Sequence, residues 1–427
     1  MQFFSPNTGD STLLWHQGQA ISRAGFSHAA LQLAQRLPFA SHCINLCNGR
    51  LSFMLGLVAA ALRKQITLLP PNQTAASLAQ LQQQHPQAQV IDDSCLVGLD
   101  WISTDHTEIH IDPVATVAVL YTSGSTGVPV AHAKTWRTLL RTGELDSRRF
   151  AGTQRLNLVA TVPSQHMFGL QTTVLLPLLS QCAIHDSKPF FPADIRTALL
   201  AVPAPRALVI TPTHLRTCMA SGIEFPELQF ILSATAQLPH ELARNAEALW
   251  HTEVLEIYGS TEAGAMATRR TTAGESWQLI PDARLEQDAG TTYFHAGHLP
   301  APLQLSDHVE LISAREFRLL GRASDQIKIA GKRAALGDLT QALQSIVGVK
   351  DAIVFLPDAA ERTAALVVAP DMRVPDILDA LAQQVDAVFL PRPLLLVPEL
   401  PRNDVGKLTR TALQHTLTRL MSAQAHE

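Results

Sequence analysis

VATVAVLYTSGSTGVP, residues 114–129, decides how the rest of the chain is read. A β-branched apolar run over 114–121 stops at a Gly/Ser-rich turn. A short continuous apolar run closed by turn residues reads as a buried strand. Comparable runs follow at 156–162 (LNLVATV), 207–211 (ALVIT), 228–233 (LQFILS) and 252–258 (TEVLEIY). Helical stretches such as 136–141 and 239–250 separate them. Apolar strands alternating with helices predict an α/β fold: a large N-terminal domain with mixed, mostly parallel sheets whose faces are covered. Such sheets take ligands at the carboxyl ends of their strands.

Beyond about residue 320 the character changes. FRLLGRASDQIKIAGKR, residues 317–333, is basic and punctuated by Gly and Ser. After it come a helix at 336–346, strands at 352–356 and 365–369, a helix at 375–388 and a strand at 394–397. That pattern predicts a small α+β C-terminal domain. The expected division is residues 1–321, a linker over 322–325, and residues 326–427.

Composition narrows the function. The 427 residues are 46% hydrophobic and only 16% charged, which excludes a disordered, solvated chain. Lys and Arg total 33 against 37 Asp and Glu, a formal net charge of −4. A weakly acidic balance argues against nucleic acid as a partner, since binding there rests on phosphate neutralisation. The longest apolar stretch, 51–62, falls short of the roughly 20 residues that span a bilayer, so no integral membrane segment is expected. MQFFSPNTGD at the start lacks the pattern of a secretory signal. Five cysteines without CxxC spacing predict neither a zinc site nor a disulfide framework, and a cytoplasmic location is expected.

Four segments carry chemistry. YTSGSTGVP, 121–129, is read as a strand-to-helix loop whose small residues let backbone N–H groups and the hydroxyls of Thr122, Ser123, Ser125 and Thr126 approach an anion. It is not the GxxxxGK[ST] loop, because no Lys follows Gly127. IYGSTEAG, 257–264, offers Glu262 as an oxygen ligand suited to Mg²⁺, Thr261 as a donor to phosphate and Tyr258 as a stacking ring. LLGRASDQIKIAGKR, 319–333, supplies Arg322, and LPRNDVGKLTR, 400–410, supplies Lys407. Taken singly, each also reads as an ordinary turn or solvated basic loop.

Together, in this order and spacing, the four resemble the adenylate-forming superfamily of acyl-CoA synthetases, aryl acid ligases, luciferases and peptide-synthetase adenylation domains. The resemblance runs from about residue 114 to the C-terminus. It implies that a carboxylic acid attacks the α-phosphate of ATP, releasing pyrophosphate, and that the acyl group then passes from AMP to a thiol. By the same resemblance the loop from Thr122 through Ser123, Gly124, Ser125, Thr126 and Gly127 holds the β- and γ-phosphates. Ser233, Ala234 and Thr235 match the adenine segment. Tyr258, Gly259 and Ser260 match the adenine platform and its turn, Thr261 the α-phosphate contact and Glu262 the magnesium ligand. Asp307 looks like the ribose-binding Asp, Arg322 like the Arg on ribose and phosphate, and Lys407 like the mobile catalytic lysine. His166, Phe168 and Gly169 in VPSQHMFGL match the wall of the acyl pocket. Ser324 and Asp325 match the hinge about which a mobile C-terminal lid swings.

The chain also departs from that pattern. Val130 and Ala131 stand where the phosphate loop usually continues with Lys and Gly. Lys134 is the candidate substitute, and the roles of His132 and Trp136 are open. These departures resemble the compact AMP-ligases of aryl-polyene and xanthomonadin pigment clusters. That narrower likeness implies a hydroxybenzoate-type acid and the phosphopantetheine thiol of an acyl carrier protein. An aryl- or medium-chain acyl-CoA synthetase and a nucleotide-binding pseudoenzyme remain the alternatives.

Overall fold

The computed structural model describes residues 11–101, 109–123, 129–152, 154–322, 326–329, 332–358, 360, 362–402, 406 and 408–424. The chain divides into two compact units. The first holds residues 1–274, 278–283 and 295–303; the second holds 275–277, 284–294 and 304–427.

In the first unit the apolar runs become adjacent strands. Gly264–Arg270, Glu253–Ser260, Phe230–Ser233, Arg206–Ile210, Asn157–Ala160, Ala183–His185, Thr12–His16 and Gln19–Ser22 lie side by side in that order. Pairing is parallel from Glu253–Ser260 through to Thr12–His16 and antiparallel at the two flanks. Alternation along each strand buries both faces. Ala207 and Val209 join one core, whereas Leu208 and Ile210 join the other, under the helices Pro192–Leu200, Pro212–Ser221 and His240–Trp250.

A second sheet orders Gln89–Ile91, His42–Asn45, Ile66–Leu69, Thr116–Ser123 and Pro129–Thr135. The helix Arg50–Leu62 is buried at every residue but Leu62, as its almost wholly apolar sequence requires. Each Leu-sized side chain buried there is worth about 1.5–3 kcal/mol. Its one cation, Arg50, is satisfied by the carbonyls of Ala160 and Val162 and the hydroxyl of Ser164. Among the described residues no helix is long and apolar enough to cross a membrane. All five cysteines are free.

In the second unit, Asp307–Leu311 pairs antiparallel with Glu316–Arg322, and Gln326–Ile329 with Lys332–Ala335. The strands Asp351–Phe355, Ala364–Val368 and Leu394–Leu396 form a small sheet. The helices Leu336–Gln344 and Val374–Ala382 pack Leu339, Leu343, Ile377 and Leu381 onto it. Leu413 and Leu417 of Arg410–Gln424 join a separate cluster with Leu366 and Leu395. The mixed α/β fold expected from the strand and helix pattern is the fold observed.

Candidate active site

The Gly/Ser segment does not lead directly into a helix, as its sequence suggested. Thr116–Ser123 turns back as the antiparallel strand Pro129–Thr135, with Tyr121 opposite Ala131, Thr122 opposite Val130 and Ser123 opposite Pro129. Only then does the helix Trp136–Asp146 begin, capped by Thr135, whose hydroxyl accepts from the Thr138 N–H. The reason is the pattern of 129–135: a half-exposed edge strand whose polar residues resemble a loop. Gly124, Ser125, Thr126 and Gly127 lie outside the described residues, as does the side chain of Ser123. Thr122 is described, and its hydroxyl sits 3.0 Å from His132 Nε2.

IYGSTEAG forms a hairpin turn. Glu253–Ser260 folds back onto Gly264–Arg270, with a bulge between Tyr258 and Gly259. Gly259 is required because a Cβ there would run into the carbonyl oxygen of Gly264. Gly264 takes a φ of +75°, a left-handed conformation natural to glycine. The turn therefore presents Thr261 and Glu262 at the carboxyl end of a parallel strand. Ser260 Oγ accepts the N–H of Ala263 at 3.2 Å and closes the turn.

Glu262 is 43% exposed at its side chain, so its carboxylate reaches solvent. Partial burial works to raise its pKa, but its own N–H, the Ser260 hydroxyl, His132 and Lys134 outweigh that and hold it below the ordinary value. It is thus an ionised oxygen donor. Among the described residues no group of three His, Cys, Asp or Glu could cage a metal. One carboxylate beside a phosphate loop is the donor set that Mg²⁺ uses, because it keeps waters and takes substrate phosphates for most of its shell. The residues fit that ion.

Behind the turn lies an arrangement the sequence did not disclose. Lys134 is 4% exposed, and its Nζ donates to the backbone carbonyl of Glu262 at 2.6 Å. Burial lowers its pKa to about 8, against the opposing pull of Glu262. His132 Nε2 lies 3.6 Å from Glu262 Oε1, and burial lowers its pKa too. From another strand of chain, His298 Nε2 donates to the carbonyl of Ala263 at 2.8 Å. No local signal marks His298; the sequence singles out Lys134 as a substitute for the loop lysine, but not as a partner of the Glu262 carbonyl.

The segment matching the acyl pocket follows the strand Asn157–Ala160. His166 caps a helical run over 167–179 that widens into π-turns at Leu170–Leu175. His166 and Phe168 are partly exposed and Gly169 is buried. A Cβ on Gly169 would strike the carbonyl oxygen of Pro163, so only glycine allows this return of the chain. The run packs directly on the acidic turn: the vacant Cβ position of Gly264 faces Gln171 Nε2 at 3.1 Å and Met167 Cε at 3.3 Å. The His166 segment and the Glu262 turn are thereby neighbours.

Ser233 ends the adjacent strand, fully buried, with no hydrogen-bond partner for its hydroxyl among the described residues. Ala234 is buried behind it, and Thr235 takes a φ of +81°, an outlier for a β-branched residue. Such strain clusters at ligand sites. In the second unit Asp307 and Arg322 are register partners on neighbouring strands. Lys407, Ser324 and Asp325 lie outside the described residues, as does the side chain of Arg322.

Ser233–Thr235, Tyr258–Glu262 and the segment around His166 thus follow the carboxyl ends of strands in one sheet, and the strand Pro129–Thr135 of the other sheet reaches Glu262. This is the architecture of a nucleotide-dependent enzyme. Residues 16–295 match the AMP-binding enzyme family, and the chain belongs to it. A 4-coumarate–CoA ligase of Rhodobacter capsulatus is 30% identical over 247 residues, covering 55% of this chain and 59% of that protein. A 4-coumarate–CoA ligase of Halorhodospira halophila is 28% identical over 296 residues, 67% of this chain and 73% of that one. An anthranilate–CoA ligase of Pseudomonas aeruginosa is 26% identical, covering 75% and 70%. The chain therefore spans less than two thirds of the first of these relatives and more of the others. In fold it is similar to ATP-bound MatB from Rhodopseudomonas palustris, at a TM-score of 0.82 and 17% identity, covering 96% and 97% of the two chains. It is also similar to MenE from Bacillus subtilis in complex with ATP and magnesium ion, at a TM-score of 0.79 and 18% identity, covering 95% and 97%. The family match agrees with the motifs, which pointed to an AMP-binding enzyme.

Proposed function

We propose that this protein activates an aromatic carboxylic acid of the hydroxybenzoate type as its acyl-adenylate, at the expense of ATP, and passes the acyl group to a phosphopantetheine thiol. The observation that supports the reading is the packing of the His166 segment, read as the acid pocket, against the turn of Glu262, read as the metal ligand.

The substrate carboxylate is already ionised, so no enzymic nucleophile is needed. The difficulty is electrostatic: two anions must meet, and charge grows on the departing pyrophosphate. Cations and oriented donors are what lower that barrier. Glu262 would hold Mg²⁺, which when bound neutralises phosphate charge. Thr261 and the hydroxyls of the 122–126 loop orient the phosphates, while Tyr258 and the Ser233–Thr235 segment receive the adenine. Asp307 and Arg322 take the ribose. Lys407 supplies the cation shared by the carboxylate and the α-phosphate. His166, Phe168 and Gly169 form the wall against which the aromatic acid lies.

For the acceptor, an acyl carrier protein of a pigment cluster accords with Val130 and Ala131 in the phosphate loop. Coenzyme A is the second reading, favoured by the CoA-ligase names of the relatives. Within the basic segment 317–333, which would meet an acidic carrier, Arg318 is paired with Glu275 and Glu310. Turnover with free CoA against a phosphopantetheinylated carrier, with 4-hydroxybenzoate as the acid, tests the assignment. Faster transfer to the carrier upholds it, and equal or faster transfer to CoA replaces it with the second reading.

A further inference from the structure

The hairpins over residues 116–135 and 253–270 belong to different sheets, yet one strand ties them together. Pro129–Thr135 is the returning strand of the Gly/Ser hairpin, and it sends two side chains across to the acidic turn. Lys134 Nζ holds the carbonyl of Glu262 at 2.6 Å. His132 Nε2 stands between Thr122 Oγ1, at 3.0 Å, and Glu262 Oε1, at 3.6 Å. The next carbonyl of the turn, that of Ala263, is held by His298, whose own carbonyl accepts from Thr138 Oγ1 at 3.1 Å. Thr138 lies on the helix that follows Lys134. Two successive carbonyls of the turn are therefore fastened by side chains from outside it.

We propose that Lys134 and His132 are positioning residues that clamp the Glu262 turn to the phosphate hairpin, so that the two move as one jaw. The inference rests on the functional reading above for what the jaw grips, but the clamp itself is a matter of the chain alone. The geometry also answers what Lys134 does in a chain with Val130 in its phosphate loop. A buried ammonium committed to a backbone carbonyl is not placed as a stand-in phosphate ligand; it orients the residue that carries the carboxylate. A charge-assisted bond in a water-poor site is a strong one, and its loss leaves the turn to Ser260, His132 and His298. Groups that orient a ligating side chain typically contribute 10–100-fold to metal affinity.

The test compares the wild type with Lys134→Met, which keeps the length and removes the donor, and Lys134→Gln, which keeps a shorter neutral donor. Amide hydrogen exchange over residues 259–265 is measured on the full-length protein without nucleotide, together with melting temperature. Affinity for Mn²⁺·ATP is measured by electron paramagnetic resonance. The clamp predicts exchange over 259–265 at least roughly tenfold faster in Lys134→Met, with Lys134→Gln between it and the wild type. Mn²⁺·ATP should bind about 10–100-fold more weakly in Lys134→Met. Unchanged exchange with weakened nucleotide binding would make Lys134 a direct phosphate ligand and overturn the clamp. Faster exchange with unchanged Mn²⁺·ATP affinity would reduce it to a structural contact, which also overturns the positioning role. If Lys134→Met does not fold, the same two outcomes are read from Lys134→Gln. If the wild type binds no ATP, the functional reading falls while the exchange comparison still decides the clamp.

Discussion

Asp146 ends the helix behind the candidate site and is 2% exposed. Its carboxylate accepts from Gln171 Nε2 at 3.4 Å, on the helical run that backs the Glu262 turn. Burial raises its pKa from 3.8 to about 7, opposed by the charge of Arg149. The folded chain thus keeps a proton that the unfolded chain releases near pH 4. The contribution of Asp146 to stability therefore falls as pH rises from about 4 to 7, and above 7 its full cost is present. A shift of about three units, at 1.36 kcal/mol each, makes that cost about 4 kcal/mol. Asp146→Asn keeps an acceptor for Gln171 and carries no charge to bury. The variant should match the wild type near pH 4 and exceed it at pH 8 by up to about 4 kcal/mol. Paired denaturant and thermal unfolding of the two proteins at several pH values reads the difference. A difference that does not change with pH, or a variant less stable than the wild type at pH 8, would refute the reasoning.

Gly169→Ala forces a Cβ against the Pro163 carbonyl, so it should lower stability by about 1–3 kcal/mol and raise the KM for the acid more than that for ATP; equal KM values for variant and wild type would remove Gly169 from the pocket wall. Glu262→Gln should raise the Mg²⁺ concentration needed for adenylation and slow that step, and an unaltered Mg²⁺ titration would take Glu262 out of the metal role. Lys407→Ala should lose adenylate formation by roughly 10²–10³ while still converting a supplied acyl-adenylate to thioester; equal loss of both steps would contradict its assignment. Ser324→Pro should impair the thiol step more than adenylation, since a hinge serves the second conformation, and an unaffected thiol step would count against residues 322–325 as a hinge.

The large sheet was legible because its strands are buried on both faces. ALVIT and LQFILS are continuous apolar runs, and they became Arg206–Ile210 and Phe230–Ser233. The C-terminal elements were legible for the complementary reason: their helices show one apolar stripe, as in Leu336–Gln344. The returning strand Pro129–Thr135 was not legible. Its apolar residues are mostly small and interleaved with polar ones, and its most buried member is a lysine. Arg23 and Arg50 mislead in the same way. Sequence alone marks them as surface residues, but each is buried on carbonyls more than a hundred positions away. Long-range satisfaction of a buried cation leaves no local trace. The chemistry-bearing residues Thr122, Tyr258 and Glu262 were legible as short segments at strand ends, while the side chains that orient them, Lys134, His132 and His298, belong to pairings that only the fold creates.

The most direct test of the functional account is acid-dependent exchange of labelled pyrophosphate into ATP, run with Mg²⁺ over 3- and 4-hydroxybenzoate, cinnamates and medium-chain fatty acids. The account predicts exchange that requires an added acid and is fastest with a hydroxybenzoate. Exchange with none of these acids, from a protein that binds ATP, would contradict it.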